Sequence, residues 1–504
     1  MPRSPAAVPP RTRGSWLSVG ARISSGARVA RHLRAAPFLL AALASREGSI
    51  DQRLVRMRDA WSAAVQTADR APARQRLKDI AWSNAEPFEI RAGAVELLAS
   101  DPDPTGVDDT RELVKLVLPR EQSRGMVALL SRLCVDKAWT DATPALIRSY
   151  SRIVSAVEEG DRAERWALSE LNPGVPLFDL AFGVFLDPRT DPGPAGANFD
   201  QRTRADAWTV IARLDPSGSE RRRLLATVSS TTSNADVTLM RACAAELAAL
   251  PNTPAEVDWV RSLYSPQSAE NRAWRAEVSP AVAALTDAQR DRLAIRHLEP
   301  IRWTAANQPV WLTRSREDIL SDMASRLSGR PNFQRRVERD NRGDLLPETL
   351  DHHRAALSWG DALSLLVLDT AIVDPAFLEP LWLHLDQDRA DRTTEYGGLI
   401  QHVPRVGGVR PLLFVPRSAA REGDMAFPES EDMIRQGDRS LAAFHFHASQ
   451  TEMVDHAGPS EGDLRYAWGT RRNCLVFTSL RARRLTVDYY TPDGVVIDLG
   501  ELPR

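Results

Sequence analysis

Cysteine, lysine and long apolar runs are all scarce in this sequence of 504 residues. Its three cysteines, Cys134, Cys243 and Cys474, lie far apart, which excludes a disulfide-rich scaffold or a cysteine-rich zinc ribbon. The chain has no apolar run of the roughly 20 residues that a membrane-spanning helix needs, so we expect no integral membrane span. These absences indicate a globular protein, and its length favours two or more domains.

An excess of charge of one sign is also missing. The 65 Lys+Arg residues nearly balance the 67 Asp+Glu residues, and this balance gives no electrostatic reason to expect a nucleic acid partner. Almost all of the cations are arginines scattered through the chain. This pattern is more simply explained by codon usage in a GC-rich genome than by phosphate binding.

The segment 1–46 differs from the rest as a basic leader. No acidic residue occurs from Met1 to Ala44, and the leader ends in a short apolar run, Ala35 to Ala44. A run of about ten residues suits the apolar region of a signal peptide, and Ala42-Leu43-Ala44 has the small-x-small pattern of a cleavage site. Two interpretations stay open: export to the cell envelope, or a disordered leader on a cytoplasmic protein.

The segment 47–340 has the pattern of serial helices. Ser49 with Gln52, and Thr253 with Glu256, form capping boxes ahead of apolar stripes with helical spacing. Further helices are expected at 88–99, 121–136, 144–157, 204–214 and 236–250. Helices joined by short turns favour an all-α, HEAT-like array (an α-solenoid), which would present a surface to a protein partner.

After a linker at 341–359, the segment 360–504 predicts an α+β domain with a mixed sheet. We interpret the apolar run from Leu363 to Val373 as a strand, and Asp374 with Pro375 as the start of a helix. Further strand candidates are 393–400, 410–415, 441–447, 474–478, 485–490 and 495–499, and helical patterns lie near 430–436 and 460–468. Strands and helices mixed over this length indicate one compact domain.

The residues suited to catalysis lie in this last segment. His445 and His447 are two apart on a predicted strand, so both imidazoles point to one face and can bind one metal ion. Ser460 and Asp463 follow at a predicted helix start. Two histidines, a carboxylate and a water form a typical catalytic zinc site, and Glu395 could serve as its base.

In this order the residues resemble the signature of the JAB/MPN (JAMM) metalloproteases: Glu395-x-x-Gly398, then His445-x-His447, then Ser460-x-x-Asp463. The resemblance covers 360–504. It implies one Zn²⁺ per chain, with His445, His447 and Asp463 as ligands, Glu395 as the general base and Ser460 stabilising the oxyanion. The function implied is zinc-dependent hydrolysis of a peptide or isopeptide bond in a protein or peptide substrate.

Two departures from that signature leave alternatives open. Ala448 stands where the family usually has proline, and the segment 448–459 is longer than usual. Asp455 or His456 in this segment could replace a ligand, and the two histidines could be hydrogen-bonded core residues. The alternative function is a catalytically silent, MPN-like scaffold or protein-interaction module.

The leader supports a first prediction. If it is a signal segment, the mature protein isolated from its native host begins at Ser45, because cleavage follows Ala42-Leu43-Ala44. Mass spectrometry of the intact protein measures this. A soluble, cytosolic protein whose N-terminus lies before Ala35 would contradict export.

Overall fold

The computed structural model describes residues 41–43, 45–67, 70–152, 159–188, 198–232, 234–331, 347–403, 408–421, 423, 427–448, 457–481 and 483–504. The leader up to residue 40 lies outside these ranges, as do Ala44, Asp455 and His456. Two compact units divide the chain, the first ending at Leu113 and the second beginning at Val114.

The first unit is built of helices. They are α1 (Ile50–Val65), α2 (Arg70–Trp82), α3 (Phe88–Ala99) and most of α4 (Pro104–Val117). Ser49 and Gln52 form the predicted capping box of α1. Helix α3 packs on α1 and α2, and Leu77, Ile90 and Leu98 are fully buried there.

The second unit opens with a long series of helices. They are α5 (Arg124–Asp136), α6 (Thr143–Ser151), α7 (Ala163–Leu171), α8 (Leu177–Leu186), α9 (Phe199–Leu214), α10 (Ser219–Thr227), α11 (Ala235–Leu247), α12 (Pro254–Leu263), α13 (Ala269–Ala283), α14 (Asp287–Arg290), α15 (Leu298–Asn307), α16 (Arg316–Leu327) and α17 (Leu350–His353). The helical character predicted for this part is confirmed. Each helix packs mainly on neighbours that are close in sequence, as α9 does on α6 and α8.

The strand predicted from Leu363 to Val373 is wrong, because these residues belong to helix α18 (Trp359–Ile372). Ser358 and Asp361 form a capping box at its start, and nearly every side chain of the helix is buried. A helix buried on all sides has no amphipathic period, so its apolar run cannot be told from a buried strand. Helix α19 (Pro375–Ala390) follows, capped by Asp374 as predicted.

A mixed six-stranded sheet ends the chain. Its strands are β1 (Gly397–His402), β2 (Val409–Leu413), β3 (Ala442–His447), β4 (Cys474–Arg481), β5 (Arg484–Tyr490) and β6 (Val496–Pro503), in the order β2-β1-β3-β4-β5-β6. Neighbouring strands are antiparallel except β3 and β4, which are parallel. Helix α20 (Glu431–Gly437) precedes β3, and helix α21 (Glu461–Thr470) makes the crossover from β3 to β4 that a parallel pair requires. The α+β architecture with a mixed sheet is therefore confirmed.

The two faces of the sheet have different neighbours. Phe444, Phe446 and Phe477 point to one face, where the ring of Phe377 of α19 lies 6.5 Å from that of Phe477 and is tilted against it by 42°. The opposite face carries Leu399, Ala443 and Val476, which cluster with Met433 of α20 and Ala467 of α21. Residues that alternate with the phenylalanines on β3, including both predicted histidine ligands, therefore face α20 and α21.

One hydrophobic core joins the later helices to the sheet. It runs from Cys243 in α11 to Leu502 in β6 and includes Leu320, Leu366 and Phe477. The domain boundary at 341–359 stays a prediction, since 341–346 lie outside the described residues. Among the helices that are described, none has the length and apolar character needed to cross a membrane.

The shared core supports a second prediction. If a protease site is inserted between residues 341 and 346 and then cleaved, the two fragments stay associated, because separation would expose the apolar faces of α16 and α18. Size-exclusion chromatography under native conditions, followed by a denaturing gel of each fraction, measures this. Separate elution of the fragments would show that the two parts fold as independent domains.

Candidate metal centre

The register of β1 against β3 brings three polar side chains together. Gly397 pairs with His445 in this antiparallel ladder, and Phe446 N–H donates to the Tyr396 carbonyl at 3.0 Å, continuing the ladder before β1. Two residues beyond the first pair, Glu395 lies opposite His447. Paired residues share a face of the sheet, and the candidate ligand atoms of Glu395, His445 and His447 all lie within 4.8 Å of one another.

The glycines of the Glu-x-x-Gly pattern are required by packing. A Cβ on Gly398 would overlap the carbonyl oxygen of Leu412 on β2, and a Cβ on Gly397 would lie 2.6 Å from the carbonyl oxygen of Phe444 on β3. Any larger residue would push β1 away from its neighbours. Gly397 therefore lets β1 lie at the distance from β3 that places Glu395 beside His447, and Gly398 lets it lie equally close to β2.

Helix α21 delivers the second carboxylate. Ser460 caps it: its Oγ accepts from Asp463 N–H at 3.3 Å, while Asp463 Oδ2 accepts from Ser460 N–H at 2.6 Å. This capping box fixes the first turn of the helix against the sheet. Asp463 Oδ1 lies 3.3 Å from His445 Nε2, and its Oδ2 lies 3.7 Å from His447 Nε2.

The distances between these atoms suit a tetrahedral metal ion. Ligands bound about 2.0 Å from a tetrahedral zinc lie about 3.3 Å from one another. The Nε2 atoms of His445 and His447 are 3.3 Å apart, and the Asp463 carboxylate lies 3.3 Å from the first through Oδ1 and 3.7 Å from the second through Oδ2. Glu395 Oε1 is farther out, 3.9 Å from His447 Nε2. Two imidazoles and a carboxylate are also the donor types that zinc prefers, so the residues fit the ion.

Burial varies across the site. The side chain of His445 is 8% exposed and Glu395 13%, whereas Asp463 is 20% and His447 24% exposed. His445 therefore lies at the inner end of the group and His447 nearer the solvent. A metal ion bound here could keep a position open to water.

Electrostatics couple His445 to Asp463. Burial opposes charge on His445, but the carboxylates of Asp463, Glu395 and Asp388 outweigh it and raise the pKa of the imidazole to about 9. Burial opposes charge on Asp463 too, but His445, His447 and the Ser460 N–H hold the pKa of this carboxyl well below its usual range. At neutral pH the metal-free site is thus an imidazolium–carboxylate pair, and a metal ion must displace a proton from it.

A cavity of about 250 Å³ opens beside these groups. Glu395, His445, Ser460 and Asp463 form its polar lining. Its other lining residues are mostly apolar or aromatic: Phe427, Met433, Ala443, Gly462, Tyr466 and Tyr490. The cavity can therefore place an uncharged substrate group against the polar cluster. Clefts of about 390 and 640 Å³ along the helical part have no histidine or cysteine in their walls.

All five predicted site residues meet here. Glu395, His445, His447 and Asp463 form one polar cluster, and Ser460 lies at the edge of the same cavity. The alternative ligands in the segment 448–459 cannot be compared with them, since both lie outside the described residues.

Two supporting residues escaped the sequence analysis. Arg389 of α19 donates through Nε to the carbonyl of Ala448 at 3.1 Å, which anchors the chain where it leaves β3. The hydroxyl of Tyr490 lies 3.5 Å from His445 Nδ1. Strand alternation on β5 could have placed Tyr490 on the face of the site, but only the strand order brings it next to His445.

Comparisons of this sequence and structure with known proteins found no match. No family model matches this sequence. No curated protein and no solved structure matches it either. The resemblance to the JAB/MPN metalloproteases therefore rests on the residues of the site and on the order in which they occur.

Proposed function

We propose that this chain is a zinc-dependent hydrolase that cleaves a peptide or isopeptide bond, as the JAB/MPN metalloproteases do. One observation carries the proposal. Two imidazole nitrogens and a carboxylate lie close together beside a second carboxylate, and a cavity opens onto His445 and both carboxylates. Three protein ligands with a free fourth position are typical of catalytic zinc sites, whereas structural sites have four.

His445, His447 and Asp463 would hold the metal ion. Zinc bound there would supply a Lewis acid and a water whose pKa lies near neutrality. Asp463 is assigned as the third ligand because its Oδ1 lies 3.3 Å from His445 Nε2 and its Oδ2 3.7 Å from His447 Nε2. The capping box keeps its carboxylate in place.

Glu395 would then act as the general base. Its carboxylate lies beside the ligand nitrogens and lines the cavity, so it can accept a proton from water and pass it to the leaving amine. Ser460 Oγ accepts a hydrogen bond from Asp463 N–H, which leaves the hydroxyl hydrogen free to donate to a developing oxyanion. Both roles follow the family resemblance, and the positions of the two side chains support them.

The helical part would recruit a substrate or partner protein. Its packing, in which each helix contacts neighbours close in sequence, supports a HEAT-like array. Such arrays bind extended protein surfaces, which suits a protein substrate for the hydrolase.

A silent scaffold remains the second candidate, and a specific observation favours it. Without a metal, Asp463 already pairs with His445 and caps α21 through Ser460 N–H. These polar groups therefore have hydrogen-bond or ion-pair partners within the protein, as the members of a purely structural cluster would. The zinc content of the protein separates the two functions.

The proposed roles lead to a third prediction. In the full chain, Glu395→Gln keeps one zinc but slows hydrolysis by about 10²–10⁴-fold, because the amide cannot accept a proton. His447→Ala loses both zinc and activity, because two ligands bind the ion far more weakly than three. Plasma mass spectrometry measures the zinc, and a mixture of fluorogenic peptides measures hydrolysis.

Two matched controls test whether these effects are specific. Glu431, at the start of α20, and His352, in the short helix α17, are exposed and do not line the cavity. Glu431→Gln and His352→Ala should therefore change neither the zinc content nor the rate of hydrolysis. If Glu395→Gln loses its zinc, Glu395 is a ligand and the assigned roles are wrong. If the unaltered protein binds no zinc, the scaffold function replaces the hydrolase.

A fourth prediction separates ligation from capping at α21. Ser460→Ala removes the cap and should cost about 1 kcal/mol of stability while zinc affinity stays close to that of the unaltered protein. Asp463→Asn keeps an oxygen that can accept from Ser460 N–H, yet loses the charged ligand, so zinc affinity falls sharply, and stability falls too because His445 loses its carboxylate partner.

Thermal unfolding and zinc titration measure the two effects. Ser430→Ala, which removes the cap of α20, is the control for a lost cap away from the metal site. Unchanged zinc affinity in Asp463→Asn would contradict its assignment as a ligand.

A further inference from the structure

Two buried polar residues on the face of the site have no role in the proposed reaction. Tyr490 of β5 pairs with Cys474 of β4, and Cys474 pairs in turn with Ala443 of β3. Paired residues share a face, so both side chains point to the face that carries His445. Tyr490 is 1% exposed and Cys474 is fully buried. A phenol and a thiol buried this deeply need hydrogen-bond partners within the protein.

Those partners form a chain that starts at the metal site. Tyr490 Oη lies 3.5 Å from His445 Nδ1, and the Cys474 thiol, directly opposite Tyr490 in the β4–β5 ladder, is the neighbour to which its hydroxyl can donate. Cys474 Sγ in turn lies 3.7 Å from the backbone carbonyl of Arg472. The chain therefore connects the imidazole, the phenol, the thiol and a carbonyl in that order.

The last member sets the direction of every hydrogen bond. A carbonyl oxygen can only accept, so the Cys474 thiol donates to it and its sulfur accepts from the Tyr490 hydroxyl. The oxygen of Tyr490 is then left to accept from His445 Nδ1–H. When Nε2 gives up its proton, the hydrogen on Nδ1 stays with Tyr490, and the lone pair of Nε2 points toward His447 and Asp463.

We propose that Tyr490, held by Cys474, is a positioning residue that fixes the ring and the tautomer of His445 for metal binding. This inference rests on the proposed function, because it assigns His445 as a zinc ligand. Metal-bound histidines almost always donate their second ring N–H to a partner, and loss of that partner typically weakens metal binding by about 10–100-fold. Unlike the usual carboxylate or carbonyl partner, the Tyr490 hydroxyl also carries a hydrogen and therefore needs a further acceptor.

Adjacent tyrosines provide a matched pair of variants. Tyr490→Phe removes the hydroxyl from the site, whereas Tyr489→Phe removes one from the opposite face of the same strand. Tyr489 is equally buried, and its hydroxyl donates to Asn473 Oδ1 at 3.1 Å. Each variant loses one buried hydrogen bond and keeps the ring, so a purely structural role predicts similar effects from both.

The experiment measures zinc affinity of the full chain by competition with a chromophoric chelator, and stability by thermal unfolding. Tyr490→Phe should bind zinc about 10–100-fold more weakly, and Tyr489→Phe should bind it as the unaltered protein does. Cys474→Ser keeps a group that accepts and donates, so it should stay close to the unaltered affinity. Cys474→Ala should fall between the unaltered protein and Tyr490→Phe.

Each outcome decides between the inference and its alternatives. Equal zinc affinity of Tyr490→Phe and Tyr489→Phe would overturn the positioning role, whether or not both are destabilised. If Tyr490→Phe does not fold, Cys474→Ala against Cys474→Ser decides the same question. Absence of zinc from the unaltered protein would instead overturn the proposed function, and the inference with it.

Discussion

The close pairing of β1 with β3 is the constraint on which the rest of the site depends. Gly397 and Gly398 let β1 lie against the backbones of both neighbouring strands, where a Cβ would collide with a carbonyl oxygen. The register that follows sets Gly397 opposite His445 and Glu395 opposite His447. A slip of one residue would turn every side chain of β1 to the other face, so Glu395 would point toward α18 and α19. The geometry of the site therefore depends on these two glycines as well as on its charged residues.

The metal-free site is already arranged for a cation. Asp463 would be costly to bury alone, but it is compensated by His445 and by the Ser460 N–H at the start of α21. A divalent cation that displaced the imidazole proton would leave these neighbours in place, and its extra positive charge would lie beside the carboxylates of Asp463 and Glu395. Little reorganisation is then needed on binding, which is the requirement for a precise ligand geometry. The same arrangement explains why a silent scaffold could keep these residues without any metal.

The sequence predicted the sheet well because its strands follow one simple rule. On β3 the residues alternate between a phenylalanine face and a histidine face, and capping signals such as Ser460 with Asp463 mark the helix that follows. The interpretation failed at α18, where burial on all sides removed the periodic signal. Tyr490 was beyond reach for a different reason. Its nearness to His445 depends on β5 lying two strands from β3, and no local pattern specifies that order.

The position of the site in the fold restrains the strand that carries its histidines. His445 and His447 alternate with Phe444 and Phe446, which belong to a core that continues through α18 and α19 into the later helices of the chain. The imidazoles are thus mounted on a strand whose other face is packed tightly, and rotation of that strand would disturb the core. Arg389 of α19 extends this support by holding the carbonyl of Ala448, where β3 ends. An anchor from a helix can replace the stiffness that proline gives to the family at this position. The departure at Ala448 is therefore compatible with a well-ordered metal site, because a hydrogen bond from α19 restrains the backbone that a proline ring would otherwise restrain.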